Sequence, residues 1–203
     1  MAADPEELRA VDGRVPGRRG LATRQRLLDR TAAMLTTTSY RDLKVVDIAR
    51  EAGTSPATFY QYFPDVEAAI LVLAEDMALE GSEQLIGLVR DGTWDAAHGY
   101  DTALAVADGF IDFWDRHHSV LRVVDLATGE GDRRFQSIRT RLMNEFTVAL
   151  QDVIVERQGR PRRGAVDPMA SAGVLSAMLA HVSAHRYGFE FWGIRTADVR
   201  TAM

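Results

Sequence analysis

Two prolines, Pro56 and Pro64, punctuate the segment Thr54-Ser55-Pro56-Ala57-Thr58-Phe59-Tyr60-Gln61-Tyr62-Phe63-Pro64 and constrain this chain more than any other feature. Ser55 is a good N-cap, and Pro56 suits a first helical position, where a missing N–H costs nothing. Pro64 pushes Phe63 out of helical geometry, so this helix can run only about two turns. A second helix is expected just before it, over Val45–Ala52, with Val45, Ile48, Ala49 and Ala52 on one face and Gly53 as its stop. Ala49 and Gly53 are small where two helices would cross, and Gly53 can take the positive φ of a tight turn. A helix, a glycine turn and a two-turn helix make a helix-turn-helix, a shape that fits the major groove of DNA. A surface helical hairpin in any bundle has the same periodicity.

The rest of the chain is patterned for helices. Leu21, Leu28, Ala32 and Leu35 form one stripe, closed by Thr36-Thr37-Thr38-Ser39. Asp65 can cap a helix over Val66–Val89. Further helices are expected near Tyr100–His117, Val120–Thr128, Asp132–Gln158 and Asp167–Phe189, with a basic loop over Gly159–Gly164 and a last start at Thr196–Met203 cut off by the chain end. No run alternates as a strand does, so the expected class is all-α. The expected division is a basic arm over 1–20, a three-helix helix-turn-helix domain over 21–64, and a helical ligand-binding and dimerisation domain over 65–203.

Charge sharpens this division. The chain carries a net −5, yet residues 13–64 hold nine Lys/Arg against four acids, while residues 65–203 hold 14 against 21. A basic patch on an acidic molecule is an electrostatic footprint for phosphate. With no cysteine, disulfides and thiolate chemistry are excluded. The polar, Arg-rich start does not read as a secretory signal, and the charge-free run Pro168–His185 reads as a buried helix, not a membrane span. The default location is then the cytoplasm.

The wording of the motif adds a resemblance. Val46-Asp47-Ile48-Ala49-x-x-Ala52-Gly53-Thr54-Ser55-x-x-Thr58-Phe59-Tyr60-x-Tyr62-Phe63-Pro64-x-x-Glu67-x-x-Ile70 resembles the DNA-binding region of the TetR family of transcriptional regulators over about residues 20–71. The resemblance implies a homodimeric repressor that binds a palindromic operator and is released by a ligand acting through its fourth helix. It places Thr58, Tyr60 and Tyr62 at positions that touch DNA, and Phe59 and Phe63 at packing positions. Together with the exposed polar side chains expected on the second helix, the candidate DNA-binding set is Lys44, Thr54, Ser55, Ala57, Thr58, Tyr60, Gln61 and Tyr62. Two positions depart from the family. Val66 stands where a phosphate-contacting Lys is common, and Lys44 stands where a Ser or Thr usually caps the second helix. Arg14, Arg18 and Arg19 suit either a minor-groove arm or a solvated tail.

In the larger part, the helix near Tyr100–His117 carries Tyr100, Leu104, Ala107, Ile111 and Trp114 on one face, with Ala103, Val106, Phe110 and Phe113 beside it. Phe110, Phe113, Trp114, Met143, Phe146, Met178 and Trp192 are candidate ligand-binding residues for an apolar or amphipathic effector, with plain core as the alternative; Phe189 belongs with them. Ala170, Gly173, Ala177, Ala180 and Ala184 form a strip of small residues that suits a dimer interface or close packing within one subunit. His181 and His185 have the spacing of a zinc pair, but no Glu lies between them. They are read as satisfied interior or interface histidines, and no metal or cofactor is expected. No nucleophile, acid–base pair or phosphate loop emerges, so the chain reads as a regulator and not an enzyme.

Overall fold

The computed structural model describes residues 16–158 and 166–203. Among them every regular element is helical: α1 Arg18–Leu35, α2 Val45–Glu51, α3 Pro56–Tyr62, α4 Val66–Arg90, α5 Gly99–Gly129, α6 Arg133–Gln158, α7 Pro168–His185, α8 Tyr187–Phe191 and α9 Thr196–Ala202. The all-α expectation holds. Most of the expected arm, and the Gly159–Gly164 loop, lie outside the described residues. Arg18–Gly20, expected in the arm, instead open α1.

The chain divides into two compact units. Among the described residues, the first holds 16–76 together with Ser119–Glu130, and the second holds Met77–His118 with 131–158 and 166–203. Both α4 and α5 therefore belong partly to each unit.

In the first unit, α1 buries Arg24, Leu27, Leu28, Thr31 and Leu35, at the 3–4 spacing of one helix face. This face packs on α2 and α3. Ile48, Ala49, Phe59 and Ile70 are fully buried in the same core. Arg24 lays its guanidinium over the Phe63 ring, 5.3 Å from the centroid. The tail of α5 is part of this unit. Val120, Leu121, Val123, Val124 and Ala127 are all buried. Arg122 donates to the carbonyl of Leu35 at the end of α1, and Glu130 accepts from both Tyr40 and Arg41.

The two helices expected at Tyr100–His117 and Val120–Thr128 are one continuous 31-residue helix, α5. Ser119, at the expected break, is only 8% exposed, and the apolar residues that follow are buried. That burial outweighs the modest helix propensity of His117-His118-Ser119-Val120. The expected helix over Asp167–Phe189 is broken: α7 ends at His185, and α8 begins at Tyr187.

In the second unit, α6 buries Phe135, Ile138, Leu142, Phe146, Ala149 and Leu150. It packs along α7, which buries Ala172, Ser176, Leu179, Ala180 and Ser183. A hydroxyl stitch joins the two helices. Thr147 donates to Ser176 Oγ at 3.0 Å, and Ser176 donates to the carbonyl of Ala172 at 2.7 Å. Arg200 on α9 reaches Asp108 at 2.5 Å and Arg186 pairs with Asp115, so the last helices are tied to α5 through ion pairs.

Candidate nucleic-acid interface and effector site

The local chemistry that builds α3 is visible bond by bond. Gly53 takes φ +65° in the turn, and the Thr54 N–H returns to the carbonyl of Ala49 at 2.9 Å, satisfying an orphan acceptor at the end of α2. Ser55 then caps α3. Its Oγ accepts from the Thr58 N–H at 3.2 Å and lies 3.0 Å from the Thr58 hydroxyl. Pro56 occupies the first turn. Phe63, at φ −136° and ψ 129°, is the extended residue that Pro64 demands. Asp65 then caps α4, accepting from the Ala68 N–H at 2.7 Å.

This frame sorts α3 into two faces. Phe59 is fully buried and Phe63 is 2% exposed. Their rings lie 5.5 Å apart and tilted, which locks the helix to the core. On the other face, Ser55, Ala57, Tyr60 and Gln61 are exposed, while Thr54, Thr58 and Tyr62 are half-buried. The hydroxyl of Tyr62 lies against Gly20 of α1, where an added Cβ would come within 3.2 Å of it. Lys44 is exposed and stands at the N-cap of α2, where its side chain makes no cap bond. Lacking a capping side chain there, α2 carries Asp47 in its first turn, paired with Arg50 at 3.0 Å.

In the second unit the aromatic candidates separate. Phe110, Phe113 and Phe146 are fully buried, and Trp114 is 7% exposed. Phe110 meets Phe146 edge-on at 4.7 Å and stacks on Trp114 at 5.9 Å, and Phe113 meets Trp114 edge-on at 5.6 Å. Met143 and Met178 are half-buried. Trp192 does not join them. It follows α8, is 72% exposed and meets the Phe189 ring edge-on at 6.2 Å. Tyr100 is 62% exposed and Ala103 is also exposed, so the apolar arc expected at the start of α5 begins in earnest only at Val106. A groove of about 680 Å³ opens at the α4–α5 turn, lined by Leu88 and Ala105 with Glu83, Asp91, His98 and Asp101; none of the aromatic candidates lines it.

Two polar features of this unit are not apparent from spacing. The indole Nε1 of Trp114 is buried and meets no partner among the described residues. An unpaired buried donor costs about 1–3 kcal/mol, so an acceptor is wanted there. On α4 of the same unit, Glu80 accepts from Arg116 at 2.5 Å and lies 3.4 Å from His117 Nε2. Burial pushes the Glu80 carboxyl up, but Arg116 and His117 together hold it below its ordinary value.

The small-residue strip of α7 is also sorted by the fold. Ala170 and Ala177 are exposed and Gly173 and Ala184 half-buried, but Ala180 is 7% exposed and lies on the face turned inward. The exposed stripe runs instead through Ala170, Val174, Ala177, His181 and His185. Neither histidine is interior.

Comparison with known proteins agrees with this arrangement. Residues 27–68 match the family model described as bacterial regulatory proteins, tetR family, and residues 85–203 match the tetracyclin repressor-like C-terminal domain. A fatty acid degradation regulator, FadR, from Bacillus halodurans is 15% identical with a TM-score of 0.63, covering 93% of this chain and 92% of its own. A protein of unknown function from Rhodococcus sp. RHA1 is 22% identical with a TM-score of 0.68, covering 89% and 90%. The FadR of Bacillus subtilis, solved with stearoyl-CoA, is 14% identical with a TM-score of 0.62, covering 82% and 88%. A two-turn helix follows a glycine turn within residues 27–68, family models match both that segment and residues 85–203, and the chain belongs to the TetR family of DNA-binding transcriptional regulators.

Proposed function

We propose that this protein is a cytoplasmic homodimeric repressor that reads a palindromic operator through the exposed face of α3 and is released by an apolar or amphipathic effector. The observation that carries the reading is the division of α3, with Phe59 and Phe63 buried and Ser55, Ala57, Tyr60 and Gln61 exposed. Gln61 is the side chain best suited to a base edge, since an amide can pair with adenine in two places. Thr54, Ser55, Thr58, Tyr60, Tyr62 and Lys44 supply phosphate contacts. Two α3 helices spaced about 34–36 Å apart in a dimer would meet successive major grooves. The exposed stripe of α7, together with Phe191 at 88% and Trp192 at 72% exposure at the end of α8, supports self-association.

The effector reading rests on Phe110, Phe113, Trp114 and Phe146, with the half-buried Met143 and Met178 as further candidates. The unpaired Trp114 indole calls for a ligand with a hydrogen-bond acceptor, such as a carboxylate or a thioester carbonyl. The stearoyl-CoA bound to the Bacillus subtilis FadR is one molecule of that kind. Because α4 and α5 each run through both units, an effector that favours one placement of either helix acts on the DNA-binding unit as well. Reciprocity then requires operator DNA to weaken effector binding by the same factor.

The test is binding of the purified protein to DNA upstream of its own gene, against random DNA, with and without long-chain acyl thioesters. Specific binding relieved by the ligand is expected. Gln61→Ala should cost about 1–3 kcal/mol of operator affinity with the melting temperature unchanged. Equal affinity for the two DNAs at moderate salt, or a large loss of stability in the variant, overturns the reading.

A further inference from the structure

We propose a second small-molecule site, for a small carboxylate or phosphate ester, in the cleft between the end of α1 and the tail of α5. The cleft measures about 370 Å³, within the range of small-ligand pockets, and all of its lining belongs to the first unit. The segment after α1 supplies Thr38, Ser39 and Tyr40, and α5 supplies Arg122, Val123 and Leu126. None of the aromatic candidates of the second unit lines it. The site is thus distinct from the effector reading and does not depend on it.

The groups left unused in this cleft fit an anion. Arg122 is its one cationic side chain, and no carboxylate joins the lining. Among the described residues the guanidinium makes a single long bond, to the Leu35 carbonyl at 3.4 Å, which leaves most of its N–H groups free. The hydroxyls of Thr38 and Ser39 and the N–H groups of Ser39 and Tyr40 also meet no partner among the described residues. Glu130, at the end of the α5 tail, is already taken by Tyr40 and Arg41. Free carbonyls at a helix end would repel an anion, but those of α1 are occupied. Thr36 Oγ1 donates to the Ala33 carbonyl at 2.7 Å, the Thr38 N–H to that of Met34 at 2.9 Å, and Arg122 to that of Leu35. What remains is a set of donors around one positive charge, the complement of an oxyanion. Val123 is buried and Leu126 is 44% exposed, so a short hydrocarbon portion has an apolar wall to lie on. An occupant joins the loop that leads into α2 to the tail of α5 within one unit.

The experiment is titration of isotope-labelled full-length protein with sodium butyrate and, separately, inorganic phosphate at constant ionic strength, read by amide NMR shifts. Saturable shifts at Ser39 and Tyr40 are expected with at least one probe, and which probe binds tells carboxylate from phosphate. Arg122→Gln keeps a donor for the Leu35 carbonyl but removes the charge, and should weaken binding at least about tenfold. Thr38→Val keeps the side-chain shape without the hydroxyl and should weaken it by a smaller factor. Lys44→Ala is the control, because exposed Lys44 can hold phosphate elsewhere; it should leave the Ser39 and Tyr40 shifts as they are. Circular dichroism checks the fold of each variant. Shifts that are absent with both probes, that cluster around Lys44 alone, or that are equal in wild type, Arg122→Gln and Thr38→Val overturn the assignment.

Discussion

Gly81 shows how a single hydrogen in place of a methyl can decide packing. An added Cβ would meet the Phe113 ring and come within 2.6 Å of Leu142 Cδ1, and both neighbours are buried. Replacing a mid-helix glycine by alanine gains up to about 1 kcal/mol of helix propensity, whereas overpacking a closed core costs about 1–3 kcal/mol. Overpacking wins, so Gly81→Ala should lower stability in urea denaturation. Gly109 makes the contrast. Its Cβ would meet only the far end of the Leu88 side chain, which is half-buried and can turn away. Gly109→Ala should therefore stay within about 1 kcal/mol of the wild type. The same scale explains the candidate DNA contacts. Tyr60 and Gln61 are outward because Phe59 and Phe63 are inward, and a seven-residue helix has no other way to turn.

At the scale of elements, the starts of helices carry charge, and one of them titrates. Asp132 precedes α6 and accepts from the Arg134 N–H at 2.8 Å and from its guanidinium at 2.6 Å. The Arg134 side chain is the main cause that pulls the Asp132 carboxyl down to about 2. Its ordinary value in an unfolded chain is about 3.9. A group depressed on folding stabilises above the unfolded value and loses that contribution as pH falls through the folded one. Asp132→Asn should thus be less stable than wild type at neutral pH, and the gap should close between about pH 4 and pH 2 in pH-dependent denaturation. A long helix such as α5 raises a different question. Ser119 sits where α5 passes from the second unit to the first. Ser119→Pro removes one hydrogen bond and forces a kink, at a cost of about 3 kcal/mol. Chemical denaturation should show that loss, while Ser119→Ala should keep the full helix.

For the whole molecule, the separation of charge is the property that acts at a distance. The net +5 of residues 13–64 stands against an acidic remainder, so repulsion from DNA falls on one part and attraction on the other. Operator affinity should fall steeply with salt, by about 0.9 log units per log unit of salt for each phosphate neutralised. Lys44 is exposed at the start of α2. Lys44→Ala should flatten that slope by about one unit while weakening binding to all sequences alike. An unchanged slope in a salt titration would show that Lys44 meets no phosphate.

The helix-turn-helix was legible in the sequence because its causes are short-range. Pro56, Pro64, Ser55 and Gly53 act on their own backbone or on neighbours within four residues, and the structure shows each at work. The charge asymmetry was equally legible, being a sum over residues. What the sequence left open depends on which side of a helix finds a neighbour. From Met169 to Val182 α7 has no Asp, Glu, Lys or Arg, and apolar or small residues occur on every side, so its pattern gives no direction. Packing on α6 chose the Ala180 side as interior and left His181 and His185 outward. The break expected near Ser119 followed local propensity, which is worth tenths of a kcal/mol per residue, whereas burial of Val120, Leu121, Val123 and Val124 is worth several in total. Trp192 was grouped with the inner aromatics because it is large and apolar, but the turn after α8 carries it to the surface. Hydrophobicity alone says that a side chain gains by leaving water; only the arrangement of distant helices supplies the place where it can.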